Sequence, residues 1–290
     1  MDALSHALIT VIIFLAAGSI SSLIPFAVIG AVIVDADIFF RIISDRDPDL
    51  YIFTHGGFAH SIPGAVVVSG LGTSGILLAV LAGAVPAWVL SIPIPLVFFA
   101  ILAGAGIHLG IDALAYPDIP LLYPLSDSRV TLGILPGPSI FLFITTSAIL
   151  VARALGQINT PRALAFASAV FILFLVFRAL LFLFARQNLP EGRRVPLPNP
   201  LHWIIIGENE TAFLITRYSL FRGISGSETF EKYINTDLCE ADKFQALPEV
   251  RRLKFHSYIT VAEKPCPNLY FQIHFGKRAI SCIRPITHAG

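Results

Sequence analysis

Four stretches of this chain, residues 62–82, 96–115, 138–156 and 163–185, are almost wholly apolar, and each comes close to the roughly 20 residues a helix needs to cross a hydrocarbon core. A helix packed into a soluble core keeps a polar outer face, and these stretches offer almost none. Composition agrees, with 55% hydrophobic and 13% charged residues where a soluble domain carries about a quarter of its residues charged. The expected fold is an all-α polytopic membrane domain of about six helices followed by a small β-rich soluble domain. The formal net charge is +1 and no basic stripe with interleaved aromatics occurs, so nucleic acid is set aside as a partner.

The first apolar stretch begins behind Asp2 and His6 without a preceding Lys or Arg, so it reads as retained rather than as a signal peptide. Residues 7–34 have the length of one long span or of two short helices. Gly18, Ser19, Ser21, Ser22 and Pro25 cluster in the middle, where hydroxyls satisfy the backbone groups freed by a break. The pattern therefore predicts a hairpin of helices of about 14 and 12 residues, each rising roughly 20 Å. A hairpin returns the chain to its starting side and brings His6 close to Asp35, which a single span would hold apart.

Composition changes near Gln187, and Asn188 to Pro200 carries four prolines and the Arg193/Arg194 pair, which is linker chemistry. The expected division is a membrane-embedded helical metal-binding domain over 1–187, a linker over 188–200 and a small α+β cytosolic domain over 201–290. In the last, LHWIII and TAFLITRY flank GENE as a hairpin, KFHSYITV and NLYFQIHF are strand-like, and a helix is expected near 228–247. Cys239, Cys266 and Cys282 are an odd set without metal-type spacing, which suits a reduced compartment. With the hairpin folded back, Arg41, Arg46, Arg129, Arg186, Arg193 and Arg194 share one side against Arg153 and Arg162. The expected location is thus the cell membrane, multi-pass, with both termini and the metal site facing the cytoplasm.

Four of the eight histidines fall in the sparsely charged region. Asp35 and Asp37 stand in VDADIFF at the end of an apolar helix, where deep carboxylates are costly and tend to be functional. His55 and His60 stand in HGGFAHS, whose glycines let the chain turn and both imidazoles converge. His108 and Asp112 form an i, i+4 pair on one helix face, and the hairpin adds His6. Each element has a bland reading, as a helix end meeting water, interfacial hydrogen-bonders or a His–Asp lock. Together they make a mixed N/O ligand set suited to Zn, Mn or Fe. Seven candidates exceed one tetrahedral shell, so two or three metal ions, with some candidates orienting the others, are expected. No G-x-S-x-G elbow, phosphate loop or H-E-x-x-H helix occurs. A metal-activated water is the expected nucleophile.

His6 in SHAL, VDAD, HGGFAHS, and HLGID followed by YPDIPLLYP together resemble the YdjM/YbcI family of membrane-bound metal-dependent hydrolases, also called the DUF457 family, over roughly residues 1–130. That family is distantly similar to zinc-dependent phospholipase C and S1/P1 nuclease, helical enzymes with three zinc ions. The resemblance implies phosphate-ester hydrolysis, with His6, Asp35, His55, His60, His108 and Asp112 as ligands and Asp37 as ligand or general base. Val34, Ile38 and Gly56 depart from the family pattern, Gly56 standing where an arginine is common, so Arg41, Arg46 or Arg129 is expected to supply charge for a phosphate.

The resulting expectation is a membrane-embedded metal-dependent hydrolase using two or three zinc ions on a phosphate ester or phosphodiester of a lipid-like substrate, with membrane lipid as its partner. Asp37 and His60 are expected to move the proton as catalytic residues. A divalent-metal transporter and a non-catalytic membrane scaffold with a structural metal site are the alternatives. Protein partners are unknown. His202, His256, His274 and His288 lack ligand spacing and read as structural or surface residues.

Overall fold

The computed structural model describes residues 3–126, 128–137, 139–234, 247–256, 259–263, 271–275 and 278–283. They form two compact units. One holds Met1–Arg41, Phe53–Asn188 and Pro196–Pro200; the other holds Ile42–Ile52, Leu189–Val195 and Leu201–Gly290.

The first unit is helical. Helix α1 (Ala3–Ala16, 14 residues) packs along α2 (Ile24–Ile33, 10 residues) as the expected hairpin. Gly18, at φ +64°, and the 3-10 turn Ser21–Leu23 join them. Pro25 lies in the first turn of α2 rather than in the break, a position where its missing N–H removes no helical bond. Past α2 the chain tightens into a 3-10 helix, Val34–Phe40, and runs into α3 (Arg41–Arg46), which from Ile42 on belongs to the second unit. Helices α4 (Ile62–Leu81) and α5 (Ile94–Leu114) follow, then α6 (Ile140–Ala154) and α7 (Thr160–Asn188).

Among the described residues four helical runs are long and apolar enough to cross a membrane: Ser21–Arg46, α4, α5 and α7. The stretch 138–156 does not meet the expectation of a full span, because α6 has 15 residues. Ser139 caps it, accepting from the Leu142 N–H, and Gly156 at φ +72° follows its far end, so the ends are trimmed by turn chemistry although the composition stays apolar. Leu71, Phe99, Leu173 and Leu180 are all largely exposed, an apolar exterior suited to lipid rather than water.

Close approach of α2 and α5 sets the centre of this unit. A Cβ added to Gly30 would overlap the Ile101 carbonyl, and one added to Gly104 would overlap the Ala27 carbonyl. These two helices therefore touch backbone to backbone, as small residues allow in membrane helix pairs. Val34, Ala59, Ala65, Val68, Ala105 and Leu109 pack into one buried cluster beside this seam.

The second unit is built on strands. Strands β1 (Arg193–Pro196), β2 (His202–Glu208), β3 (Ala212–Ser219) and β4 (Gly223–Glu231) form a sheet in that order. The β2–β3 hairpin is the expected one, with Trp203 opposite Tyr218 and Ile205 opposite Thr216. Its turn is closed by Asn209, whose Oδ1 accepts from Thr211 N and Ala212 N, as an Asx-type turn does. Ile206, Phe213 and Ile259 form its core. Part of the expected linker is thus strand, since Arg193–Pro196 joins the sheet. Strands β5 (Tyr233–Ile234), β6 (Val261–Glu263), β7 (Phe271–Phe275) and β8 (Arg278–Ile283) make a second sheet.

The helix expected near 228–247 is corrected. Residues up to 234 are in β4 and β5, 235–246 lie outside the described residues, and helix α8 spans Pro248–His256. Proline opens α8, and Arg251, Arg252 and Lys254 favour it, so the KFH of KFHSYITV is helical while Val261 begins β6. His202 is half-buried in β2; the side chains of His256 and His274, and all of Cys239, Cys266 and His288, lie outside the described residues.

Candidate metal centre

The end of α5 supplies two donors. His108 and Asp112 are one turn apart, with His108 Nε2 3.2 Å from Asp112 Oδ2. His108 Nδ1 is 2.7 Å from the carbonyl oxygen of Ala31. Ala31 lies in the last turn of α2, where carbonyls lose their helical partners, and the glycine seam brings that carbonyl within reach. A carbonyl oxygen only accepts, so Nδ1 carries the proton and the Nε2 lone pair is turned inward.

The 3-10 helix Val34–Phe40 supplies two carboxylates that diverge, because residues two apart in a three-residue turn do not share a face. Asp35 Oδ1 stands 3.6 Å from both His60 Nε2 and His108 Nε2. Asp37 faces the other edge of His60, its Oδ2 2.9 Å from His60 Nδ1 and 3.1 Å from the donating N–H of Gly56. Its Oδ1 is 2.8 Å from His55 Nδ1. The loop is held in place by Gly56 at φ +74°, a left-handed conformation that favours glycine, and by Ser61, which caps α4 through the Gly64 N–H.

Helix α1 adds His6, whose ring stacks on His108 with centroids 3.7 Å apart. Its Nε2 is 3.2 Å from Asp112 Oδ1 but poorly aligned for a hydrogen bond, and both its ring nitrogens are buried without a hydrogen-bond partner. All seven expected residues are thus gathered in one unit. His6, His60, His108 and Asp37 are buried to 2% exposure or less, whereas His55 sits at the rim with its side chain 55% exposed. Ligand atoms of His6, His108 and Asp112 lie within 4.8 Å of one another, as do those of Asp35, His55 and His60.

The family profile described as YdjM inner membrane protein matches residues 1–185. The chain belongs to this family. The match covers the helical unit with every residue of the cluster and extends past the 1–130 region that carried the resemblance, while the β-rich tail stands outside it. No curated protein and no solved structure matches the chain. Membership and the apolar helices make this a membrane protein.

Within this YdjM-family chain, the donor geometry fits a cation. His60 Nε2 and His108 Nε2 are 3.3 Å apart, and Asp35 Oδ1 is buried with no hydrogen-bond donor among the described residues. Lone pairs converging without a proton between them repel, and either a proton or a divalent metal ion could relieve such a set. The field at His60, which lies between the spans, points the same way. Burial lowers its pKa, but the neighbouring Asp35 carboxylate, the hydrogen bond to Asp37 and the charges of Asp37 and Asp112 outweigh this, and the value is raised to about 9.

Two expectations are refined by geometry. Asp37 spends both oxygens on His55, His60 and Gly56 and is absent from both ligand groups. Arg129 donates from Nε to Asp118 Oδ1 at 3.0 Å and from Nη2 to the Asp118 carbonyl, so it is already engaged. The side chain of Arg41 lies outside the described residues, and Arg46 belongs to the other unit. Sequence reasoning missed the Ala31 carbonyl, which no side-chain pattern signals. It also missed Thr10, buried one turn from His6 with no hydrogen-bond partner among the described residues, where the i, i+4 spacing was a readable cue.

Proposed function

We propose that this chain is a membrane-embedded metal-dependent hydrolase that cleaves a phosphate ester or phosphodiester of a lipid-like substrate. The observation that carries the reading is the facing of His60 Nε2 and His108 Nε2 across 3.3 Å, beside the undonated Asp35 oxygen. His6, His108 and Asp112 would hold one ion, and Asp35 and His60, with His55 at the rim, a second. Zn suits this N/O donor set best, and Mn or Fe are the other candidates. Bound divalent metal supplies a water ionised near neutral pH and charge stabilisation for phosphoryl oxygens.

The protein's own residues do the rest. Asp37 holds the Nδ1 protons of His55 and His60, fixing the tautomer that leaves Nε2 free. The Ala31 carbonyl does the same for His108. His55, half-open to the surroundings and paired to a buried carboxylate, is placed to exchange a proton with a leaving group at the mouth of the site. A site built on apolar helices favours a substrate that arrives from the lipid. The arginine pattern supports placing both termini and the site on the cytoplasmic side.

The test is metal content of detergent-purified full chain by mass spectrometry, together with phosphodiester cleavage on the same samples, in the native chain and in His108→Ala and Asp112→Ala. Stoichiometric metal and cleavage, both lost in the variants, are expected. Retained metal in the native chain without cleavage of any phosphoester would favour the transporter or the scaffold. Absence of metal under varied supply would overturn the reading.

A further inference from the structure

Arg178 is a buried cation with no counter-charge among the described residues. It lies in α7 between Phe177 and Ala179, is 4% exposed, and stands ten residues before Asn188, about 15 Å inside the end of the helix. Its Nε donates to the Ile134 carbonyl oxygen at 3.2 Å. Among the described residues this is its one hydrogen bond, and no carboxylate pairs with it. A guanidinium has five N–H donors, and one buried among apolar helices is costly unless an anion meets it.

A cavity of about 600 Å³ opens against this side chain, within the range of ligand sites. Its walls are apolar: Phe141 and Phe174 stack at 5.0 Å, with Leu173 and Ile140 beside them. Ser139 and Ile140, the cap and first residue of α6, also line it, so a helix N-terminus adds positive potential at the same place as Arg178. The combination is a cationic point at one place on a hydrocarbon-lined recess.

We propose that this cavity binds one anionic phospholipid, its phosphate held by Arg178 and the first turn of α6, and an acyl chain lying along Phe141, Leu173 and Phe174. A soluble anion would gain nothing from those walls, and a zwitterionic lipid would bring its own cation to the one positive group. None of the cavity-lining residues belongs to the His/Asp cluster, so the inference stands apart from the hydrolase reading.

The test is native mass spectrometry of the full chain, delipidated in a neutral detergent and titrated with phosphatidylglycerol, phosphatidylcholine or inorganic phosphate. One retained phosphatidylglycerol per chain is expected, with phosphatidylcholine at least about tenfold weaker and millimolar phosphate unable to displace the lipid. Arg178→Gln should weaken phosphatidylglycerol about tenfold or more, the strength of one charge-assisted contact, and Arg178→Lys less. Leu173→Trp, which fills the recess and leaves the arginine, should give a similar loss and serves if Arg178→Gln does not fold. Equal retention of both lipids, retention unmoved in the folded variants, or displacement by phosphate alone would overturn the proposal. No readout uses turnover or metal content, so failure of the hydrolase reading would leave this result standing.

Discussion

His60 and His108 point their Nε2 atoms at each other across 3.3 Å while their Nδ1 atoms are held from behind by Asp37 and by the Ala31 carbonyl. Two neutral imidazoles with those tautomers have no proton to share, so the arrangement is relieved either by protonation or by a metal ion. Removing one lone pair should therefore cost metal before it costs fold. His108→Ala and Asp112→Asn are expected to lose most bound metal, measured by mass spectrometry, while the detergent-solubilised chain keeps its native size-exclusion profile. Full metal occupancy in both would place the site elsewhere.

Asp37 positions rather than contributes a free ligand oxygen. Asp37→Asn should lower metal affinity by about 10–100-fold, the usual effect of removing a carboxylate behind a ligating imidazole. Asp37→Glu should recover part of it. Competition against a chromophoric chelator reads this directly, and an unchanged affinity in Asp37→Asn would show that Asp37 does not orient the ring.

A metal ion at the proposed site would compete with a proton for His60 Nε2. Its metal-free pKa is raised to about 9, above the ordinary imidazole value, so the protonated form dominates at neutral pH. Raising pH through 9 removes that proton and should strengthen metal binding; lowering it below 9 should weaken apparent affinity by up to about tenfold per pH unit for this one group. In the metal-free chain the sign reverses for stability: the contribution of the protonated ring is complete below about pH 6.5 and lost as pH rises through about 9. Chelator competition and thermal unfolding across pH 6 to 10 would measure both, and a flat profile in each would contradict the assignment.

The glycine seam between α2 and α5 holds the Ala31 carbonyl against His108. Gly104→Ala places a Cβ on the Ala27 carbonyl, where backbone rather than a flexible side chain must shift. A loss of about 1–3 kcal/mol in thermal or denaturant stability is expected, with metal affinity falling as well. Gly106→Ala on the same helix meets nothing within 4 Å and should change neither, which separates the seam from a general effect of removing glycine.

The membrane character, the hairpin and the seven cluster residues were legible in the sequence because each has a local cause. Long apolar runs can be satisfied only in lipid or in a wholly buried core, Gly18 with Ser19, Ser21, Ser22 and Pro25 concentrates turn chemistry within a few residues, and ionisable residues rarely sit in such runs without a partner. The β2–β3 hairpin was legible for the same reason, since Asn209 and alternating side chains act over a few residues.

What only the tertiary structure decided is which atom meets which. Nothing local distinguishes Asp35 from Asp37, yet the 3-10 turn aims one at Nε2 and the other at Nδ1 of the same ring. The Ala31 carbonyl, 77 positions from His108, became a partner through close packing of two glycines against facing backbone. Arg178 could have been noticed as a lone charge in an apolar run; the absence of a counter-ion among the described residues and the cavity beside it could not, because both depend on what α6, Ile134 and Pro136 bring to it. The helix misplaced to 228–247 has the same origin: β4 is chosen by pairing along β3, a long-range term that local propensity does not contain.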